Sequence, residues 1–280
     1  MKISIAVPSF NYGKYIFKCL QSIKDQVYIK YEVLIADGGS TDESLEIINE
    51  FCENDSRFSL VSTADNGQSD AIMKAFSFAT GDIFCFLNSD DCYISRDVFS
   101  SVVSAFVNYE NSEIISFEGY YIDKNDKYIK KVNLRYHPFD STSNIKYRSG
   151  GVLQPATFWR RIVSSTIALD IESHYIFDSK FFYQGYQKFS WLDLPKPVAG
   201  HRLHGLNKSL QISSQRIKEL AEFEKLKFGK FSSRVYYLQS IAMLIQFTNK
   251  IPVLGKYLSK LTYYLVNSIS FLSFYRIPSI

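Results

Sequence analysis

Four short apolar runs, each stopped abruptly by polar or glycine residues, constrain the fold of this chain more than any other feature. They are residues 3–7, closed by Pro8; residues 32–36, closed by Gly38 and Gly39; residues 58–62; and residues 83–87, bounded by Gly81 and Asn88. Segments with helical spacing lie between them. Tyr15, Cys19 and Ile23 form one stripe. A second helix is expected after Ser40-Thr41-Asp42-Glu43, where Ser40 and Glu43 have the spacing of a capping box. A third runs from Ser69, with Ile72, Phe76 and Ala79 on one face. Strands alternating with helices predict an α/β fold whose central, mostly parallel sheet is flanked by helices.

In such sheets ligands bind beyond the carboxyl ends of the strands. That rule points to four polar segments: the loop after Val7, residues 37–40, residues 65–70 and residues 88–91. In Phe86-Leu87-Asn88-Ser89-Asp90-Asp91 an apolar run delivers two adjacent carboxylates to its end. Hard Mg²⁺ or Mn²⁺ prefers oxygen ligands and commonly takes one or two carboxylates, with phosphate oxygens in other positions. The same two residues would also cap a following helix, so both readings stand at this point.

Past Tyr109 the pattern loosens. Residues 114–118 and 120–131 read as strands joined by a turn at Lys124-Asn125-Asp126, and residues 150–161 combine a glycine pair with an aromatic cluster. From Ser233 two helical stretches, broken near Pro252 and Gly255, close the chain.

The loop Pro8-Ser9-Phe10-Asn11-Tyr12, the turn from Asp37 to Asp42, Asp65-Asn66-Gly67-Gln68-Ser69-Asp70, and Thr80-Gly81-Asp82 leading to Asn88-Ser89-Asp90-Asp91 occur in one order. Together they resemble the family 2 glycosyltransferases of the GT-A fold. The resemblance spans roughly residues 1–210 and continues in Gln154-Pro155-Ala156-Thr157, in Asp178 and in Arg202-Leu203-His204. It implies a Rossmann-like GT-A domain, a nucleotide-sugar donor, Mn²⁺ or Mg²⁺, and inverting transfer. Pro8, Ser9, Phe10 and Asn11 would border the nucleotide, with Phe10 stacking on the base. Asp37 would hydrogen-bond base or ribose; Gly38 stands where many relatives carry an acid. Asp65, Gln68, Asp70, Asn88, Ser89 and Gln154 complete the expected donor set, and Lys74 is within reach of a diphosphate. Asp90 matches the last acid of the family's D-x-D motif, and Asn88 replaces the first. The metal role therefore falls on Asp90, with Asp91 as helper or alternative ligand; His204, in a segment similar to one that closes over the diphosphate in the family, would be a further metal ligand or a phosphate contact. Asp178 aligns with the base that deprotonates the acceptor, although Phe177 and Lys180 stand where neighbouring acids are common. His137, His174 and His201 have no comparable support.

Charge adds a second division. Residues 225–280 hold eight basic residues and no Asp or Glu, whereas residues 1–224 hold 24 basic and 28 acidic ones. The expected organisation is a GT-A domain over 1–224, its nucleotide half about 1–110 and its acceptor half about 111–224, followed by a basic, aromatic helical extension over 225–280. No stretch offers about 18 uninterrupted apolar residues. Residues 233–280 are expected to lie on the cytoplasmic face of a membrane without crossing it, as amphipathic helices do; packing on protein is the competing expectation. Cys19, Cys52, Cys85 and Cys92 lack metal-site spacing, and reduced thiols in a cytoplasmic protein are expected. The acceptor would be a glycan or a polyprenyl-linked sugar in cell-envelope polysaccharide synthesis. Nucleic acid is disfavoured because the tail's aromatics alternate with aliphatic runs. A nucleotidyltransferase would show a glycine-rich basic loop after its first strand, and residues 8–13 do not form one. A catalytically silent scaffold or sugar-binding subunit of a membrane glycan-assembly complex remains the alternative, carried by Gly38, Asn88 and Lys180.

Overall fold

The computed structural model describes residues 1–132, 152–204, 207, 213–228, 236 and 239–243. The first part alternates as expected: β1 (Ile3–Ser9), α1 (Gly13–Lys24), β2 (Tyr31–Asp37), α2 (Ser44–Asn54), β3 (Phe58–Ser62), α3 (Gln68–Ser77) and β4 (Ile83–Phe86). Then follow β5 (Cys92–Tyr93), α4 (Val98–Asn108), β6 (Ile114–Ile122), β7 (Tyr128–Val132), a single 3-10 turn (Gln154–Ala156), β8 (Thr157–Arg160), α5 (Arg161–Thr166), α6 (Phe177–Lys188), β9 (Trp191–Arg202) and α7 (Ser214–Phe228).

All nine described strands share one sheet in the order β3-β2-β1-β4-β8-β6-β9-β5, with β7 paired to β6. β1, β2, β3 and β4 run parallel, in register Val7↔Ile35 and Ile5↔Cys85. β8 joins β4 antiparallel, and β6 pairs parallel with β9 along its whole length. β1 is buried at every residue, which explains its unbroken apolar run: a central parallel strand is covered on both faces. On α1 the buried Ile16, Cys19, Leu20 and Ile23 follow helical spacing.

Trp159 on β8 joins the two flanks of the sheet. It is 1% exposed, and its ring packs against Phe181 and Phe182 of α6, Phe76 of α3 and Phe86 of β4, with centroids 5.1 to 6.2 Å away. Its Nε1–H donates to Ser164 Oγ at 2.7 Å, so the buried indole leaves no polar atom unsatisfied.

Three local expectations are corrected. The capping box does not form: α2 starts at Ser44, and Ser40 Oγ donates to Asp37 Oδ2 at 2.7 Å. A buried carboxylate outcompetes an exposed helix end for that hydroxyl. The third helix ends at Ser77, before Ala79. The hairpin keeps residues 114–122 as one strand, and Asp123 Oδ1 closes the following turn by accepting the N–H groups of Asn125 and Lys127. The proposed membrane-surface helices over 233–280 lie outside the described residues except 236 and 239–243. Among the described residues no helix is long and apolar enough to cross a membrane.

Candidate active site

The loops after β1 and β2 are stitched to each other. Asn11 takes the left-handed conformation at φ 56°, which Asn tolerates better than most residues. Its N–H donates to Ser40 Oγ at 2.8 Å, and its Oδ1 accepts the Thr41 N–H at 2.8 Å. The N–H groups of Tyr12 and Gly13 donate to Ser44 Oγ and Asp42 Oδ2 at 3.0 and 2.9 Å. Phe10 is left 56% exposed at this edge. Beside it Ser9 is buried, and its Oγ has no hydrogen-bond partner among the described residues.

In the loop before α3, Gly67 takes φ 121°, a conformation open to glycine. Its N–H donates to Asp65 Oδ1 at 2.8 Å. Burial raises the Asp65 pKa, while the Gly67 N–H and Lys74 pull it down. Asp70 and Lys74 fasten the helix start: Asp70 Oδ2 accepts from the Asn66 N–H at 2.8 Å and from Lys74 Nζ at 2.9 Å, and Nζ also donates to the Ala64 carbonyl. Lys74 is thus committed to its own loop.

Asn88 sits in a chain of amides. Gln68 Nε2 donates to Asn88 Oδ1 at 2.7 Å, Asn88 Nδ2 donates to Gln154 Oε1 at 3.2 Å, and Gln154 Nε2 donates to the Phe86 carbonyl at 2.5 Å. An ionised Asp accepts but cannot donate, so Asn at 88 is what this chain requires. Ser89 Oγ donates to the Pro8 carbonyl at 2.7 Å and ties the β4 loop to β1.

The two carboxylates that follow point to different partners. Asp90 is 6% exposed, and its Oδ2 faces His204 Nε2 at 2.9 Å and accepts from Asn207 Nδ2 at 3.1 Å. Asp91 is fully buried; its Oδ1 accepts the Arg202 N–H at 2.8 Å, and His201 Nδ1 lies 3.2 Å away. Burial raises the Asp91 pKa, against the lowering effect of His201. Burial works against a charged His201, yet Asp91, then Asp90 and Asp178, lift its pKa to about 9. His201 Nδ1 lies 3.2 Å from Asp91, the carboxylate that most favours its charged form.

Arg202, 2% exposed, ties these groups together. Its Nε donates to the Asp90 carbonyl at 2.7 Å, Nη1 to the Asp123 carbonyl at 3.0 Å, and Nη2 pairs with Asp126 Oδ1 at 2.6 Å. Tyr15 stacks on the His204 ring at 4.7 Å, and the Arg202 guanidinium lies 5.2 Å from the Tyr15 centroid.

Asp178 occupies the first turn of α6. Its Oδ1 accepts the Ser179 N–H at 2.6 Å, and no described residue donates to Oδ2. Burial raises its pKa; the Ser179 bonds and the charge on His201 oppose that rise. Lys180 pairs with Asp170 at 2.7 Å and leaves Asp178 unpartnered by lysine.

An ion fits the Asp90–His204 pair. Asp90 Oδ2 and His204 Nε2 stand 2.9 Å apart, at hydrogen-bond distance, and a carboxylate oxygen and an imidazole nitrogen are both ligand types that divalent ions accept. No cluster of three or more His, Cys, Asp or Glu side chains gathers among the described residues. Asp90 and His204 would thus share the ion with phosphate oxygens and water.

The structure brings together Asn88, Gln68 and Gln154, and separately Asp90 with His204. It turns Asp91 toward His201 and buries Asp37 within its own turn. Sequence reasoning missed His201, Arg202, Asn207 and Tyr15. The available signal was the cluster of polar residues at 201, 202, 204 and 207, at and just beyond the end of β9.

The sequence model of glycosyl transferase family 2 matches residues 4–165. A PGL/p-HBAD biosynthesis glycosyltransferase of Mycobacterium tuberculosis is 28% identical over 165 residues, covering 59% of this chain and 61% of that protein. The chain thus spans about three-fifths of the curated relatives' length. Among solved structures, S. aureus TarS 1–349 in complex with UDP superposes with a TM-score of 0.61 at 19% identity, covering 98% of this chain and 89% of that one. The mannosyltransferase PcManGT from Pyrobaculum calidifontis, in complex with GDP-Man and Mn²⁺, gives 0.60 at 16% identity, covering 95% and 75%. These likenesses establish a shared GT-A fold. With more than half its length matched by the family model and with that fold, the chain belongs to glycosyl transferase family 2.

Proposed function

We propose that this chain transfers a sugar from a nucleotide-diphosphate sugar to an acceptor hydroxyl by a single inverting displacement. The observation that carries the reading is the buried Asp90 carboxylate, at the carboxyl end of β4, facing His204 Nε2 at 2.9 Å. Asp90 and His204 would hold Mn²⁺ or Mg²⁺, which when bound supplies charge that stabilises the departing diphosphate. The exposed Phe10 ring offers a stacking surface for the base. Asp178 Oδ2 receives the acceptor proton as the acceptor oxygen bonds to the anomeric carbon. The bond from that carbon to the phosphate oxygen breaks, and the nucleoside diphosphate leaves with the electron pair. Arg202 holds the Asp90 backbone in place throughout.

The acceptor side of the reading, a glycan or polyprenyl-linked sugar in cell-envelope synthesis, rests on the family and on the biosynthetic name of the M. tuberculosis relative. Attachment of residues 233–280 to the inner face of the cytoplasmic membrane rests on their basic, aromatic composition. Loss of anionic-vesicle binding on truncation at Ser232, with donor turnover retained, is the expected result. The deciding experiment for the activity is nucleotide-sugar turnover with Mn²⁺, with Mg²⁺ and with chelator. Metal-dependent release of nucleoside diphosphate supports an enzyme; its absence across a panel of UDP- and GDP-sugars supports the silent scaffold.

A further inference from the structure

Two carboxylates stand at the β2–β3 edge, and only one of them is open to a ligand. Asp37 is fully buried; its Oδ1 accepts the N–H groups of Gly39 and Ser40 at 3.0 and 2.7 Å, and its Oδ2 accepts the Ser40 hydroxyl at 2.7 Å. A carboxylate so enclosed is satisfied by its own turn. Asp65 is partly buried, with Oδ1 engaged by Gly67 and no described residue donating to Oδ2.

The Asp65 carboxylate lies over Gly38. A Cβ on Gly38 would stand 2.9 Å from Asp65 Oδ2 and 3.2 Å from Oδ1, closer than packed atoms sit. Glycine at 38 thus leaves the space that this carboxylate fills. The Gly38 N–H donates to the Ser9 carbonyl at 2.8 Å, which joins this spot to the end of β1. There the Ser9 hydroxyl is buried without a described partner, and Phe10 is exposed.

We propose that Asp65, rather than Asp37, is the carboxylate that reads the nucleoside of the donor, accepting a hydrogen bond through Oδ2. The inference rests on the nucleotide-sugar reading above. An ionised carboxylate only accepts, so its partner is a hydrogen donor of the nucleoside: a base N–H or a ribose hydroxyl. If the base is read, affinity depends on base identity, because uracil and guanine present a ring N–H on the pairing edge where cytosine and adenine present an amino N–H at a different place. If the ribose is read, base identity matters little and removal of one hydroxyl weakens binding.

Calorimetry on the full chain with Mn²⁺ tests this, using UDP, GDP, CDP, ADP, 2′-deoxy-UDP and 3′-deoxy-UDP, with inorganic pyrophosphate as the nucleoside-free probe. Asp65→Gly and the shape-preserving Asp65→Asn should each weaken the preferred nucleotide about 10- to 100-fold and leave pyrophosphate unchanged. The discrimination seen in the wild type, by base or by hydroxyl, should collapse in both variants. Equal losses for nucleotide and pyrophosphate overturn the proposal, because they mark damage to the loop. Unchanged nucleotide affinity in both variants overturns it alone. A wild-type chain that binds no nucleoside diphosphate overturns the nucleotide-sugar reading with it.

Discussion

On the β1–β3 side, the loops bordering the site are held by neighbours a few residues away or by the adjoining turn: Asp37 by Ser40, Asp65 by Gly67, Asn11 by Thr41. On the β6–β9 side, the polar groups reach across the chain: His204 to Asp90, Arg202 to the Asp90 carbonyl, Asn88 to Gln154. The first arrangement ties the rim together through hydrogen bonds within and between adjoining turns. The second assembles charge only when the sheet closes through Trp159 and the β6–β9 pairing. The first flank is thus held by contacts within or between adjoining loops, and the second by contacts between distant segments.

The sharpest way to break this comparison is Asp90→Ala. It should abolish transfer, by about 1,000-fold or more, given the several kcal/mol an ion supplies to the transition state. Metal-dependent nucleotide binding should fall with it while far-ultraviolet circular dichroism stays unchanged. Undiminished turnover would place the ion elsewhere.

Asp178→Asn comes next, with turnover reduced about 100- to 10,000-fold and donor affinity retained. Loss of donor affinity in calorimetry would make Asp178 part of the donor site. The wild type carries a matching pH signature. Burial raises the Asp178 pKa, and the base acts only when ionised, so kcat should fall as pH drops through a value above the ordinary carboxylate range. A kcat profile flat down to pH 4 sinks the assignment.

A smaller effect probes the long-range closure. A Cβ at Gly119 on β6 would overlap the Ala199 carbonyl of β9 and approach Leu153 Cδ2 to 2.5 Å. Gly119→Ala should cost about 1–3 kcal/mol of stability by overpacking, read as a lower denaturant midpoint. An unchanged midpoint would show that β6 and β9 separate without penalty.

The smallest effect belongs to the local rim. Ser40→Ala removes the hydroxyl shared by Asp37 Oδ2 and the Asn11 N–H. It should cost about 1–2 kcal/mol of stability and weaken nucleotide binding more than kcat. A kcat loss as large as that of Asp178→Asn would erase the distinction between the two flanks.

Much of the rim was legible in the sequence, because the apolar runs and glycine-bounded turns between residues 3 and 87 encode local events. A run such as that of β1, buried at every residue, can be read directly as a central strand. Asp90 and His204 were brought together as candidates only through the family resemblance, since nothing in the residues around 90 specifies what arrives from 204. Ser40 misled for a related reason. Its spacing from Glu43 fits a cap, and only the buried Asp37 carboxylate, itself placed by the sheet, draws its hydroxyl away. His201 gave no signal, because a histidine near a strand end acquires meaning only when a buried carboxylate such as Asp91 comes within 3.2 Å of it.

The sequence by itself determined the alternation of strand and helix, the polar edge at the carboxyl ends of β1, β2 and β4, and the acidic body with its basic extension. Hydrophobic periodicity and turn chemistry act over a few residues, so they can be read without knowing what packs where. Only the tertiary structure decided that Asp90 faces His204 while Asp91 faces His201. It also decided that Asn88 completes an amide chain and that Asp65, with Asp37 sealed inside its turn, stands over Gly38. Each is a contact between segments far apart in the chain or a competition for one buried polar atom. The cost of leaving such an atom unpaired settles the partner only after the sheet has brought the candidates together.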